Sequence, residues 1–185
     1  MKVEEKYVPT SLADVVIPSV PTVNRLNGYA NSGLIGHIIL WGPNGTGKST
    51  VAHLLPKAIS GEDAFVEPAS LEQLVAMKDL KGYLKQSAHT AQVIYGSKYF
   101  LVYDEVDAVK GNFARFWTAV DYCRSDVMVI FTTNNPMAIP ASIRSRSDEI
   151  NLPAVSPQQF LPRAQFILQA EGVNLPNAQV LHYLT

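Results

Sequence analysis

A chain of 185 residues with 47% hydrophobic and 17% charged residues has the make-up of a globular protein, long enough for one domain with a proper core and the start of a second. Its formal net charge of -1 excludes a globally basic nucleic-acid binder but leaves local basic patches open. The single cysteine, Cys123, excludes an internal disulfide and a cysteine-rich zinc module, so a reducing, cytoplasmic setting is expected. The opening residues lack a signal-peptide core, and no apolar run is long enough for a membrane span.

Residues 1–21, rich in proline and β-branched side chains, predict an extended arm over the domain surface. A short helix is expected over Val23–Ala30, and Gly33 and Gly36 break the chain before a first strand, His37–Trp41. A helix from Lys48 to about Ile59 ends near Gly61, and a second strand is expected at Phe65–Val66. Ser70 and Gln73 form a capping-box pattern that opens a helix running to about Gln86. Tyr99–Tyr103 reads as a buried strand. In the helix Phe113–Tyr122, the spacing of Phe113, Phe116, Trp117 and Val120 marks a core face. An apolar strand, Val127–Thr132, and a short helix, Ala141–Arg146, follow. Strands alternating with helices imply a three-layer α/β fold around a parallel sheet. Ser156 to Gln159 repeat the helix-start signal with proline at the first helical position, and that helix should stop near Gly172. A further helix begins at Pro176 with its pattern still running at Thr185, so a continuing helical module is expected. The boundary falls near residues 153–156 and divides the chain into units 1–154 and 155–185.

The segment "HIILWGPNGTGKSTVAHLL" fits the phosphate-binding spacing G-x-x-x-x-G-K-S/T, between an apolar strand and an amphipathic helix. Gly42, Pro43, Asn44, Gly45, Thr46 and Gly47 would curl the backbone so that its N–H groups face phosphate oxygens. Ser49 and Thr50 open the helix, whose N-terminus favours negative charge. Lys48 would reach the β- and γ-phosphates of a nucleoside triphosphate, and the Ser49 hydroxyl would bind Mg²⁺. In "LVYDEVD", two carboxylates stand at the C-terminal end of an apolar strand, where open α/β sheets bind ligands. Asp104 is the candidate for the Mg²⁺ shell and Glu105 for the base that deprotonates an attacking water. A third strand end carries Thr132, Thr133, Asn134 and Asn135. It reads equally as an amide beside the γ-phosphate or as an Asn-Pro turn.

In order and kind, these motifs resemble the AAA+ ATPases, and within them the small subunits of sliding-clamp loaders, the replication factor C type and their phage counterparts. "EKYVP" resembles the opening EKYRP box, "GPNGTGKST" Walker A, "LVYDEVD" Walker B, "FTTNN" the sensor-1 segment and "IRSRS" the Ser-Arg-Cys motif. The resemblance implies ATP as substrate with Mg²⁺, sensor 1 at Asn134, and an arginine finger acting on a neighbouring subunit at Arg146, with Arg144 the runner-up. It implies an adenine pocket lined by Tyr7, Pro9, Val15 and Val16, and it makes residues 1–154 the nucleotide-binding domain and 155–185 the beginning of a helical lid. The sequence departs from the pattern at Val8, which replaces the arginine of EKYRP, and at Ser147, which replaces the cysteine of the Ser-Arg-Cys motif. A second trans-acting arginine has no clean match, Arg115 being a poor candidate. The sensor-2 arginine would fall beyond Thr185, so over these residues nucleotide is expected to bind more weakly and to couple poorly to the lid.

The implied partners are other AAA+ subunits in a ring, a sliding clamp and primer–template DNA, with no membrane. Lys78, Lys81 and Lys85 recur at helical spacing and read either as a DNA-backbone contact or as a solvated helix face. Val93, Ile94 and Tyr95 read as a clamp contact or as sheet-edge packing. Two other functions compete with the clamp loader: a different DNA-directed AAA+ motor for branch migration or helicase loading, and a non-hydrolysing subunit that holds nucleotide as structural glue.

Overall fold

The computed structural model describes residues 3–32, 36–106 and 113–184, with the side chains of Val3, Glu4 and Phe113 outside that description. Gly33, Thr185 and the Phe113 side chain, all named above, therefore lie outside the described residues. Among those described, five strands form one parallel sheet in the order β2-β3-β4-β1-β5, where β1 is His37–Trp41, β2 Phe65–Val66, β3 Tyr99–Tyr103, β4 Val127–Thr133 and β5 Ser147–Asn151. Alternation along the strands sends side chains to two separate cores. Ile39, Leu101, Val129 and Phe131 pack against α4 (Leu71–Ala76), α5 (Leu80–Tyr95) and α6 (Phe113–Tyr122). Ile38, Leu40, Phe100, Val102 and Ile130 pack on the other face against α2 (Val20–Ser32) and α3 (Lys48–Ser60). This is the three-layer α/β architecture that the alternating pattern predicts.

Several local expectations need correction. The arm is not uniformly extended. It contains one helical turn, α1 (Val3–Lys6), and a 3-10 turn, Leu12–Asp14. The Asp14 carboxylate accepts the backbone N–H groups of Thr10 and Ser11 (3.1 and 2.9 Å) and is held below the usual carboxylate range by the Ser11 hydroxyl and these amides. Helix α2 begins earlier than expected because Ser19 accepts the Thr22 N–H, while Pro21 sits in the first turn, where no N–H is needed.

The helix expected from Ser70 to Gln86 is two helices. Met77 is extended (ψ 136°), and Asp79 starts α5 by accepting the Gly82 N–H at 2.9 Å. Arg115 of α6 donates to the carbonyls of Met77 and Lys78, which covers the acceptors the break exposes. Lys78 therefore lies in the break, and only Lys81 and Lys85 share a helix face, four residues apart on α5.

β5 was not anticipated. Its sequence, SDEIN, reads as polar because it is an edge strand that buries only Ile150 fully. Its charges are paired: Asp148 with Arg25 and Glu149 with Arg144. At the start of β1, His37 is buried and accepts the Val129 N–H on Nδ1 at 3.2 Å. Burial holds its imidazole neutral, with the pKa pushed down to about 4. After β5, α8 (Pro157–Ala170) follows the Ser156 cap and packs on α9 (Asn177–Leu184).

Candidate active site

The sheet order decides how the motifs meet. β4 lies between β1 and β3, so the strand end carrying Asn134 stands between the glycine-rich loop and the two carboxylates. All three motifs leave the same C-terminal edge of the sheet. Gly42 has φ 151°, and a Cβ there would meet the Leu152 carbonyl oxygen at 2.2 Å, so only glycine fits as the chain leaves β1. Gly47 turns the chain into α3 with φ 82°. The buried Lys48 ammonium donates to the carbonyls of Gly42 (3.0 Å) and Pro43 (2.7 Å), which holds its charge inside the curl. Ser49 and Thr50 occupy the first turn of α3, with the Ser49 side chain exposed.

The register pairing Tyr103 with Phe131 brings the next residues, Asp104 and Thr132, alongside each other. The fully buried Thr132 hydroxyl donates to Asp104 Oδ1 at 3.0 Å and accepts the Glu105 N–H at 3.0 Å. One hydroxyl thus fixes both acidic residues. Glu105 is the non-glycine residue with positive φ (50°) among those described, a conformation that L-residues adopt at some cost and that recurs where function requires it. Lys48, Ser49, Glu105, Thr132 and Asn134 line one cavity of about 330 Å³ together with Asn44, Gly45, Gly47 and Thr50.

The two asparagines at the third strand end are placed differently. Asn134 faces the cavity, whereas Asn135 builds the turn, its Oδ1 accepting the Met137 N–H at 3.1 Å.

A second cavity, of about 480 Å³, continues around the loop. It is lined by Tyr7, Pro9, Val15 and Val16, by Asn44 to Gly47 and Thr50, and from α8 by Phe160, Arg163 and Ile167. Every residue expected at the adenine pocket lines this cleft; its α8 wall was not foreseen. Arg163 donates to the Tyr7 carbonyl at 3.1 Å, and Glu171 accepts from Lys6 Nζ (2.6 Å) and the Tyr7 hydroxyl (2.5 Å), which ties the arm to α8. The Lys6 and Tyr7 contacts hold the Glu171 carboxyl below its usual range.

Sequence reasoning also missed His53, whose Nε2 lies 3.1 Å from Asp104 Oδ2. Its spacing of four from Ser49 puts both on one face of α3, a signal that was available. The Thr132 bridge had no such signal, because it depends on which strands are neighbours.

The two candidate fingers differ in environment. Arg144 is tied to Glu149 Oε1 at 2.9 Å, and its side chain is 23% exposed. Arg146 is 44% exposed and lies 3.4 Å from Asp121. The lysines Lys78, Lys81 and Lys85 are all exposed, and Lys81 Nζ sits 5.5 Å above the Tyr122 ring. Tyr95 packs on Phe65 with ring centroids 5.0 Å apart, while Val93 and Ile94 face outward. Among the described residues no helix is long and apolar enough to cross a membrane.

The residues fit a nucleoside triphosphate with Mg²⁺. The Lys48 ammonium is buried against the loop carbonyls of Gly42 and Pro43, and the nearby donors Ser49 and Asp104 are oxygens suited to a hard cation.

The chain is 28% identical over 176 residues to the replication factor C small subunit of Archaeoglobus fulgidus, covering 92% of this chain and 54% of that protein. It is 26% identical over 183 residues to the replication factor C large subunit of Methanococcus maripaludis, covering 92% of this chain and 36% of that protein. The chain thus spans between about a third and a half of these relatives. Among solved structures, the Thermotoga maritima RuvB Holliday junction branch migration motor superposes with a TM-score of 0.68 at 18% identity, over 95% of this chain and 58% of that one, which speaks for the fold alone. The model of the ATPase family associated with various cellular activities (AAA) matches residues 38–153, more than half of the chain, and the protein belongs to that family.

Proposed function

We propose that the chain is the ATP-hydrolysing module of a sliding-clamp loader, working in a ring of AAA+ subunits that place a clamp on primer–template DNA. The observation that carries the ATPase reading is the convergence of Lys48, Ser49, Glu105 and Asn134 on one cavity, with Asp104 joined to it through Thr132. The resemblance of the arm and of the "IRSRS" segment, together with relatives named as replication factor C subunits, supports the loader.

In this reading Tyr7, Pro9, Val15 and Val16 hold the adenine in an apolar cleft that α8 closes. The backbone from Gly42 to Gly47 wraps the phosphates, and Lys48 stabilises the charge that spreads over the γ-phosphoryl oxygens. Glu105 takes the proton of the attacking water, while Asn134 orients that water. Ser49 and Asp104 would hold Mg²⁺, which neutralises phosphate charge when bound. Arg146 leaves its own subunit to act on the neighbour's nucleotide. Its greater exposure, 44% against 23%, and its longer ion pair, 3.4 Å against 2.9 Å, favour it over Arg144. Lys81 and Lys85, with Lys78 at the helix break, contact the DNA backbone, and Val93 and Ile94 offer an apolar contact for the clamp.

The test is ATP turnover of the full protein assembled with its neighbouring subunits. Stimulation by the clamp and primed DNA is the expected result. Stimulation by four-way junctions instead would move the protein to branch migration. An inert assembly would make it a structural, nucleotide-holding subunit.

A further inference from the structure

Arg146 is not loose. Its Nη1 donates to the Ser142 carbonyl at 2.5 Å, and its Nε faces Asp121 Oδ2 at 3.4 Å, across from the last turn of α6. Asp121 sits where a carboxylate is electrostatically disfavoured, because the C-terminal end of a helix is already negative. A cation directly opposite offsets that. The neighbouring arginine has a separate carboxylate, Glu149, so the two pairs do not compete.

We propose that Asp121 is the positioning residue for the finger. It orients the Arg146 guanidinium in its own subunit before a neighbour's phosphate arrives, and this rests on the reading of Arg146 as the finger. An exposed ion pair of this kind contributes little to folding. Its effect lies in the rotamers it removes. A flexible arginine that must be ordered at the moment of docking loses part of its benefit in doing so, and one already held in place does not. Asp121 and Ser142 hold the guanidinium through Nε and Nη1, and with 44% of the side chain exposed it remains open to an incoming phosphate.

The experiment has two arms. In the first, the Nε–H signal of Arg146 is followed by NMR in the 185-residue chain, assigned by its loss in Arg146→Ala. Asp121→Asn should average the signal towards a free side chain, and Asp121→Glu should retain the restraint. In the second, assembled complexes are compared. Asp121→Asn should lower kcat at the neighbour's site by about three- to tenfold with KM for ATP unchanged. Asp121→Glu should recover most of the rate, and Asp121→Asn combined with Arg146→Ala should be no slower than Arg146→Ala alone. Full activity in Arg146→Ala would remove the finger reading itself. Loss in Arg146→Ala with normal kcat in Asp121→Asn would leave the finger standing and overturn the role of Asp121. A double variant slower than Arg146→Ala, or an Nε–H signal unmoved by Asp121→Asn, would equally overturn that role.

Discussion

Replacing Gly42 with alanine tests whether the glycine-rich loop is held by the sheet or merely tolerated by it. The new Cβ would lie 2.2 Å from the Leu152 carbonyl oxygen, far inside the 3.4 Å at which ordinary contact begins. That carbonyl cannot simply swing away, because the Leu152 N–H donates to the Trp41 carbonyl at 2.8 Å and the Leu152 side chain is buried. The φ of 151° adds strain of about 1–3 kcal/mol for a residue with a side chain. Overpacking against fixed backbone adds about 1–3 kcal/mol more. The sum, about 2–6 kcal/mol, is a large share of a domain stability of about 5–15 kcal/mol. Gly45→Ala is the internal control: it also has positive φ, but its Cβ meets nothing within 4 Å, so it should lose only about 1–2 kcal/mol. Urea unfolding of the two variants gives the difference directly. Gly42→Ala should unfold at clearly lower urea and bind ATP more weakly by calorimetry. If the two alanine variants were equally stable, the close approach of Leu152 to Gly42 would not be what holds this turn.

Lys48→Ala should abolish tight ATP binding in calorimetry, since among the described residues Lys48 is the one lysine or arginine that is buried; unchanged affinity would refute the loop's role. Glu105→Gln should bind ATP normally and hydrolyse it at least about a hundredfold more slowly in the assembly, as loss of a general base requires. Alanine at Lys78, Lys81 and Lys85 together should reduce the salt dependence of DNA binding by the assembled complex by up to about three units of slope, and an unchanged slope would return them to a solvated surface. His37 is neutral when folded, with a pKa of about 4 against 6.5 unperturbed, so the unfolded chain binds the extra proton as pH falls. Its contribution, about 3 kcal/mol, is therefore fully present above pH 6.5 and is lost between there and about pH 4. Chemical denaturation across that window should show this loss, and His37→Asn should flatten the slope.

Much of the site was legible because its parts are local. The spacing from Gly42 to Ser49, the carboxylates closing the strand Tyr99–Tyr103 and the apolar runs of four strands are one-dimensional patterns. Their chemistry follows from a turn, a strand end and a helix start, each encoded by adjacent residues. What the sequence could not determine depends on who stands beside whom. The β4 position between β1 and β3 lets one Thr132 hydroxyl hold both Asp104 and Glu105, and no spacing along the chain announces it. β5 was hidden because an edge strand needs few apolar residues, and its carboxylates look solvated until Arg25 and Arg144 are placed against them. The helix expected from Ser70 breaks because Asp79 caps a new one and Arg115, distant in sequence, covers the exposed carbonyls. Local propensity sets the pieces because it acts over a few bonds. Hydrogen bonds and ion pairs between distant residues decide their arrangement, because those partners meet only when the sheet has formed.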